Sequence, residues 1–154
     1  MSDERLILVT GASGYVGGRL VTSLLADKAK VRVFVRDAHK AQSHSWANEV
    51  EVAVGNASDY QSTVKALTGV HTAFYLLHSI NLGPNFDQIE SEMARNFAKA
   101  AEQCGVKQIV YLGGINNDAK TSKHLQSRAN TGKELATTSV AVMELRAGII
   151  IGSG

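Results

Sequence analysis

The segment Thr10-Gly11-Ala12-Ser13-Gly14-Tyr15-Val16-Gly17 spaces three glycines at equal intervals between an apolar run and a helix-like stretch. Upstream, Leu6-Ile7-Leu8-Val9 reads as a buried strand; downstream, Val16, Leu20 and Leu24 share one face at helical spacing. A strand turning through glycines into a helix start gathers backbone N–H groups and the positive end of the helix dipole at one point. That arrangement binds anions. Gly11 is expected to make the tight turn, Gly14 to let a diphosphate approach, and Gly17 to let helix and strand pack closely. The backbone of Ser13, Gly14, Tyr15 and Val16 would then hold the diphosphate.

In a dinucleotide fold the residues closing the second strand meet the adenosine ribose, where an acid binds the 2′-hydroxyl and an arginine a 2′-phosphate. Here Arg36 follows Val31-Arg32-Val33-Phe34-Val35, with Lys40 one turn further on, so a 2′-phosphate would meet a guanidinium and an ammonium. Asp37 comes next, and a small register shift would bring its carboxylate to the ribose instead. Arg36 as a plain solvated charge is the competing reading. NADP is favoured over NAD. Asn56, after Gly55, is expected beside the adenine edge. His78, past the fourth strand, lies near the expected crevice; as a proton carrier it competes with a merely hydrogen-bonded or exposed histidine. His39 and His44 lack metal-ligand spacing, and no metal site is expected.

The elements that must position these residues alternate along the chain. Further strands are expected at 50–54, 72–77, 108–112 and 141–145, followed closely by Ile149-Ile150-Ile151. Leu76 and Leu77, closing the fourth strand, are expected at the cofactor. Ser58-Asp59-Tyr60-Gln61 reads as a capping box, and Gly69 ends the helix it starts. Ile89, Met93, Phe97, Ala101 and Cys104 form one apolar stripe closed by Gly105, which makes Cys104 a packing residue. A last helix is expected from about Leu125 to Ala136. The fold expected is α/β: a doubly wound parallel sheet in three α/β/α layers, the Rossmann architecture.

With 154 residues, 44% hydrophobic and 19% charged, the chain suits one globular domain spanning 1–154. A net charge of +2 with scattered basic residues offers no nucleic-acid groove and no polybasic membrane patch. One cysteine excludes an internal disulfide and fits a reducing, cytoplasmic setting; no secretory leader or spanning segment is read.

The glycine loop, Val33-Phe34-Val35-Arg36-Asp37, Ile109-Val110-Tyr111-Leu112-Gly113-Gly114 and Glu144-Leu145-Arg146-Ala147-Gly148-Ile149-Ile150-Ile151-Gly152 together resemble the extended and atypical short-chain dehydrogenase/reductase superfamily, in particular its NmrA-like and NAD-dependent-epimerase-like branches. Tyr75-Leu76-Leu77-His78-Ser79 is similar to bacterial members of that group. The resemblance implies a Ser/Thr after the fifth strand and a Tyr four residues before a Lys, the lysine lowering the tyrosine pKa for proton exchange. Lys133 has the lysine's place, where it would also meet the nicotinamide ribose, but Ala129 stands where the tyrosine should be and Gly113 and Gly114 where the serine should be. Gly113 is then expected simply to adjoin the cofactor. Tyr111, Lys133 and His78 remain as candidates for chemistry, with Ser127 as a further substitute; packing competes for Tyr111 and a solvated surface for Lys133.

The resemblance also implies substrate-roofing segments beyond the sixth strand that these 154 residues do not include. Three functions are therefore weighed. The first is an NADP(H)-binding module of the redox-state-sensor kind; the second is an oxidoreductase or nucleotide-sugar-epimerase-like enzyme completed by another chain. The third is a dimerising scaffold. A homodimer through Ile149–Ile151, or through the fourth helix near Met93 and Phe97, competes with the isoleucines folding back into their own core as a short strand.

Overall fold

Alternating apolar strands and amphipathic helices leave each strand needing cover on both faces, and the chain meets that need with a parallel sheet between helices. The computed structural model describes residues 4–78, 83–115 and 122–152. In chain order the elements are β1 (Leu6–Thr10), α1 (Tyr15–Ala26), β2 (Lys30–Val35), α2 (Ala38–Gln42), β3 (Glu51–Val54), α3 (Tyr60–Leu67), β4 (Val70–Tyr75), α4 (Phe86–Gln103), β5 (Gln108–Gly114), α5 (Lys123–Leu135) and β6 (Ala141–Ala147). The strands pair in parallel in the order β3-β2-β1-β4-β5-β6. Building outward from β1 and then returning to β4 puts the topological switch between those two strands, where a crevice opens at their carboxyl ends.

Side-chain alternation divides the core in two. Leu8, Ala73, Tyr75, Ile109 and Tyr111 face α3, α4 and α5, while Val9, Val31 and Val33 face α1 and α2. In α1 the fully buried positions are Gly17 and Val21, with Leu20 and Leu24 at their flank, so the predicted stripe is rotated slightly toward the glycine. Met93 and Phe97 of α4 lie inside the first core, 9% and 1% exposed. Both side chains are spent on the core of their own chain.

Several boundaries move for identifiable reasons. The cap of α3 is Asp59, whose carboxylate accepts from Ser62 N–H at 2.8 Å, one residue later than the expected Ser58–Gln61 box. Ser122 caps α5 and starts it at Lys123. β4 stops at Tyr75, two residues before the expected end, while β5 and β6 run on to Gly114 and Ala147, which pair with each other. α2 was not foreseen; Asp37 caps it with its carboxylate. Ile149–Ile151 form no strand, and Ile149 and Ile151 are 92% and 89% exposed, which overturns the expectation of a tucked-in terminal strand.

Backbone packs directly against backbone where α1 meets the turn that precedes it. A Cβ at Gly17 would overlap the Gly11 carbonyl oxygen and crowd the Ala12 backbone, neither of which can swing away as a side chain can. Gly17→Ala is therefore expected to destabilise the domain by about 1–3 kcal/mol through forced overpacking, despite alanine's higher helix propensity. Urea unfolding followed by circular dichroism measures this; an unchanged or raised midpoint would show that α1 can shift freely.

Candidate functional site

Gly11 sits at φ +67°, the left-handed region that favours glycine, and a Cβ there would meet the Leu76 carbonyl oxygen at 2.7 Å. Gly14 N–H donates to Gly11 O at 3.0 Å and Gly18 N–H to Gly14 O at 2.9 Å, which closes the turn into α1. Gly14 is the cap residue of that helix and supplies no side-chain acceptor. The first-turn N–H groups therefore point toward the crevice without an intrahelical partner. A Cβ at Gly14 would meet only Gly11 O, at 3.3 Å, and otherwise project into open space. Of the three glycines, two are demanded by the fold itself, and Gly14 is the one whose bareness serves a visitor.

Thr10, fully buried at the end of β1, fixes the opposite wall. Its hydroxyl donates to Phe74 O at 2.9 Å and accepts from Leu76 N–H at 2.9 Å. The sequence reading passed over it; a hydroxyl ending an otherwise apolar buried strand was the available signal.

A crevice of about 570 Å³ lies across this end of the sheet. It brings together the expected Gly11, Gly14, Tyr15, Val16, Gly17, Leu76, His78 and Gly113. Ser13 is exposed at the loop's tip and does not line it. Leu77 does not line it either, because strand alternation turns it from Leu76's side into the other core cluster. Arg36, Lys40 and Asn56 stand outside this crevice, exposed along the β2 and β3 ends. Ser79 lies outside the described residues.

At the β2 end, Asp37 is occupied: its carboxylate accepts from His39 N–H at 2.9 Å and Lys40 N–H at 3.4 Å. Arg36 stands two residues beyond the Thr10–Phe34 pairing, exposed beside the loop. Asn56 turns its side-chain oxygen onto Ser58 N–H at 3.0 Å, which leaves only its amide N–H groups for a base edge.

The candidates for proton chemistry separate sharply. Tyr111 is 1% exposed and its hydroxyl donates to the Arg128 backbone oxygen at 2.9 Å; burial raises its pKa. Its ring lies in the core cluster beside Tyr75. Lys133 lies on the exposed side of α5 and does not line the crevice; the crevice-facing residues of that helix are His124, Leu125 and Arg128. Ser127 is buried, donating to the Glu90 carboxylate at 2.6 Å. The gap left by the expected serine is closed: a Cβ at Gly113 would meet Glu144 Oε1 at 2.6 Å, and one at Gly114 would meet the Leu125 side chain at 2.8 Å.

His78 alone of these reaches the crevice. Arg128 donates from Nη1 to His78 Nδ1 at 2.7 Å and from Nη2 to Leu112 O. His78 keeps an exposed edge, yet desolvation by the surrounding walls, and then the Arg128 charge, push its pKa down to about 4. Neutral imidazole is thus held as a hydrogen-bond acceptor across the neutral range. The folded value lies below the ordinary 6.5. His78 therefore contributes stability above pH 6.5 that declines as pH falls toward 4. In a proton NMR titration, its ring signals should stay fixed from pH 8 to 5.5 and move near pH 4, and Arg128→Ala should raise the midpoint. A wild-type midpoint near 6.5 would show that the pairing does not hold.

The NmrA-like family model matches residues 3–133. Sterol demethylase protein B of Methylococcus capsulatus is 34% identical over 131 residues, covering 76% of this chain and 38% of its own. Triphenylmethane reductase of Citrobacter sp., solved with NADP(H), superposes with a TM-score of 0.74 at 28% identity over 91% of this chain and 48% of its own. The NADPH-dependent quinone oxidoreductase of Escherichia coli, solved with NADPH, gives a TM-score of 0.76 at 27% identity, with the same coverage of 91% and 48%. The chain thus spans between a third and a half of the length of these relatives. On the match over residues 3–133, and on a fold shared with NAD(P)-binding reductases, the chain belongs to the NmrA-like family within the short-chain dehydrogenase/reductase superfamily.

Proposed function

We propose that the chain binds NADP(H) across the carboxyl ends of β1, β2 and β4 and works as a nucleotide-binding module without Ser-Tyr-Lys chemistry. The observation that carries this reading is the pairing of a bare Gly14, at an uncapped helix start, with an Arg36 whose neighbouring carboxylate is tied down by α2. A diphosphate would accept from the first-turn N–H groups, and Arg36 with Lys40 would take the 2′-phosphate. Two similar proteins of known structure were solved with NADP(H) or NADPH, which supports the phosphorylated cofactor. Bound there, the nucleotide would supply a hydride.

A second reading, an oxidoreductase or epimerase-like enzyme whose pocket is finished by further chain, is favoured by the His78–Arg128 pair in the crevice and by relatives two to three times as long. Among the described residues no helix is long and apolar enough to cross a membrane; the cytoplasmic reading rests on the single cysteine of the sequence. For a homodimer, Ile151 is the exposed residue to test, since Ile149 and Ile150 both line the crevice.

Gly14→Val should abolish NADPH binding in a protein that still folds, because the side chain fills the diphosphate's approach. Arg36→Ala removes a charge-assisted contact worth about 1.5–3 kcal/mol, so NADPH affinity should fall roughly ten- to a hundredfold while NADH affinity barely changes. Calorimetry decides both; equal losses for the two nucleotides would show that Arg36 does not read the phosphate. Light scattering at micromolar concentration should report a dimer that Ile151→Asp dissociates, and a monomeric wild type would end the dimer reading.

A further inference from the structure

The crevice has a second end, away from the glycine loop, whose chemistry nucleotide binding leaves unused. None of the described residues lining the crevice is acidic, whereas His78, His124 and Arg128 all line it. Arg128 spends one N–H on His78 and one on Leu112 O, and its guanidinium lies 5.9 Å from the Tyr111 ring centre. A guanidinium has five N–H donors in a planar fork, so the remaining ones stay available for a planar acceptor. No carboxylate among the described residues forms an ion pair with Arg128. The Glu90 carboxylate is buried behind α5, accepting from Ser127, and Glu144 is packed against Gly113 and Gly132; neither lines the crevice.

His124 adds an independent observation. Its Nδ1 is buried and has no hydrogen-bond partner among the described residues. Such an atom costs stability unless something meets it. It lies one helical turn before Arg128 on the same side of α5, at the wall shared with Leu125. His78 accepts from Arg128 Nη1 through Nδ1 at 2.7 Å, and its Nε2 lies 3.3 Å from the same nitrogen, which fixes the ring against the guanidinium. Around these polar groups the walls are apolar: Leu125, Ile115 and Ile150.

We propose that Arg128, with His78 and His124, forms an oxyanion-recognition subsite that selects an organic carboxylate with an apolar body. The inference deepens the nucleotide-binding reading, on which it rests for identifying this crevice as the substrate side. The carboxylate lies in the plane of the Arg128 fork and takes a further N–H from an imidazole, while the apolar body packs on Leu125, Ile115 and Ile150. Arg128, which sequence reasoning had not singled out, thereby becomes the specificity-determining residue.

The test uses benzoate as probe and neutral benzamide as its isosteric control, titrated into the full chain with and without NADPH. Binding is followed by calorimetry and by the His78 and His124 ring signals in NMR. Benzoate should bind at least tenfold more tightly than benzamide and shift both imidazoles. Arg128→Gln should weaken benzoate roughly ten- to a hundredfold, as loss of a charge-assisted contact does, with NADPH affinity unchanged, and Arg128→Lys should recover part of the loss. Because Arg128 also holds Leu112, the wild-type comparison of benzoate with benzamide keeps the test independent of any variant's folding. Equal binding of benzamide, no binding of either probe, or benzoate binding removed by Gly14→Val but not by Arg128→Gln would each overturn the subsite. Benzoate binding with these signatures in a protein that fails to bind NADPH would support the subsite and overturn the nucleotide reading alone.

Discussion

The contact on which the rest of the structure depends is backbone against backbone: helix α1 lies so close to the β1–α1 turn that Gly17 has no room for a side chain. That approach fixes where the helix begins and therefore where its unpaired N–H groups point. Thr10 sets the facing wall by joining the ends of β1 and β4 through one hydroxyl, which holds Leu76 against Gly11. Both devices sit at the switch between β1 and β4, where the strand order reverses and the sheet leaves a gap. The uncapped helix start at this gap is thus a consequence of packing rather than an addition to it.

The other end of the crevice is organised by electrostatics in a partly dry wall. Burial penalises charge, and the molecule answers by keeping His78 neutral beside the Arg128 guanidinium. Ties behind the wall hold α5 in place: Ser127 on Glu90, and the Arg95–Glu134 pair between α4 and α5. The exposed Arg95–Glu134 pair contributes little by itself, since solvent screens it; the buried Ser127–Glu90 bond matters more to the orientation of the helix. With Ala129 in the tyrosine's place and Tyr111 buried, this wall still presents an oriented guanidinium.

How far the sequence could be read depended on the range of the interaction concerned. The glycine spacing, the alternation of strands and helices, and the helix stops at Gly69 and Gly105 are local patterns, each set by backbone conformation or by the periodicity of burial. They sufficed for the doubly wound fold, for the loop residues Gly11, Gly14 and Gly17, and for Leu76, His78 and Gly113 at the crevice. The positions of Asp37 and Asn56 were also legible, but not their hydrogen bonds, because a cap or an Asx turn competes with ligand contact for the same oxygen.

What tertiary structure alone decided is which way each side chain faces once elements pack. Leu76 and Leu77 are neighbours in sequence and point into different layers; Lys133 keeps its helix but not its view of the crevice. Arg128, His124 and Glu144 carry no sequence signature, since their meaning comes from β5, β6 and α5 meeting at one point across distant parts of the chain. The sequence by itself determined the glycine turn and the layers, because those follow from short-range backbone sterics. The polar character of the far wall was left to long-range packing, where the rotation of one helix chooses which residues meet the cavity.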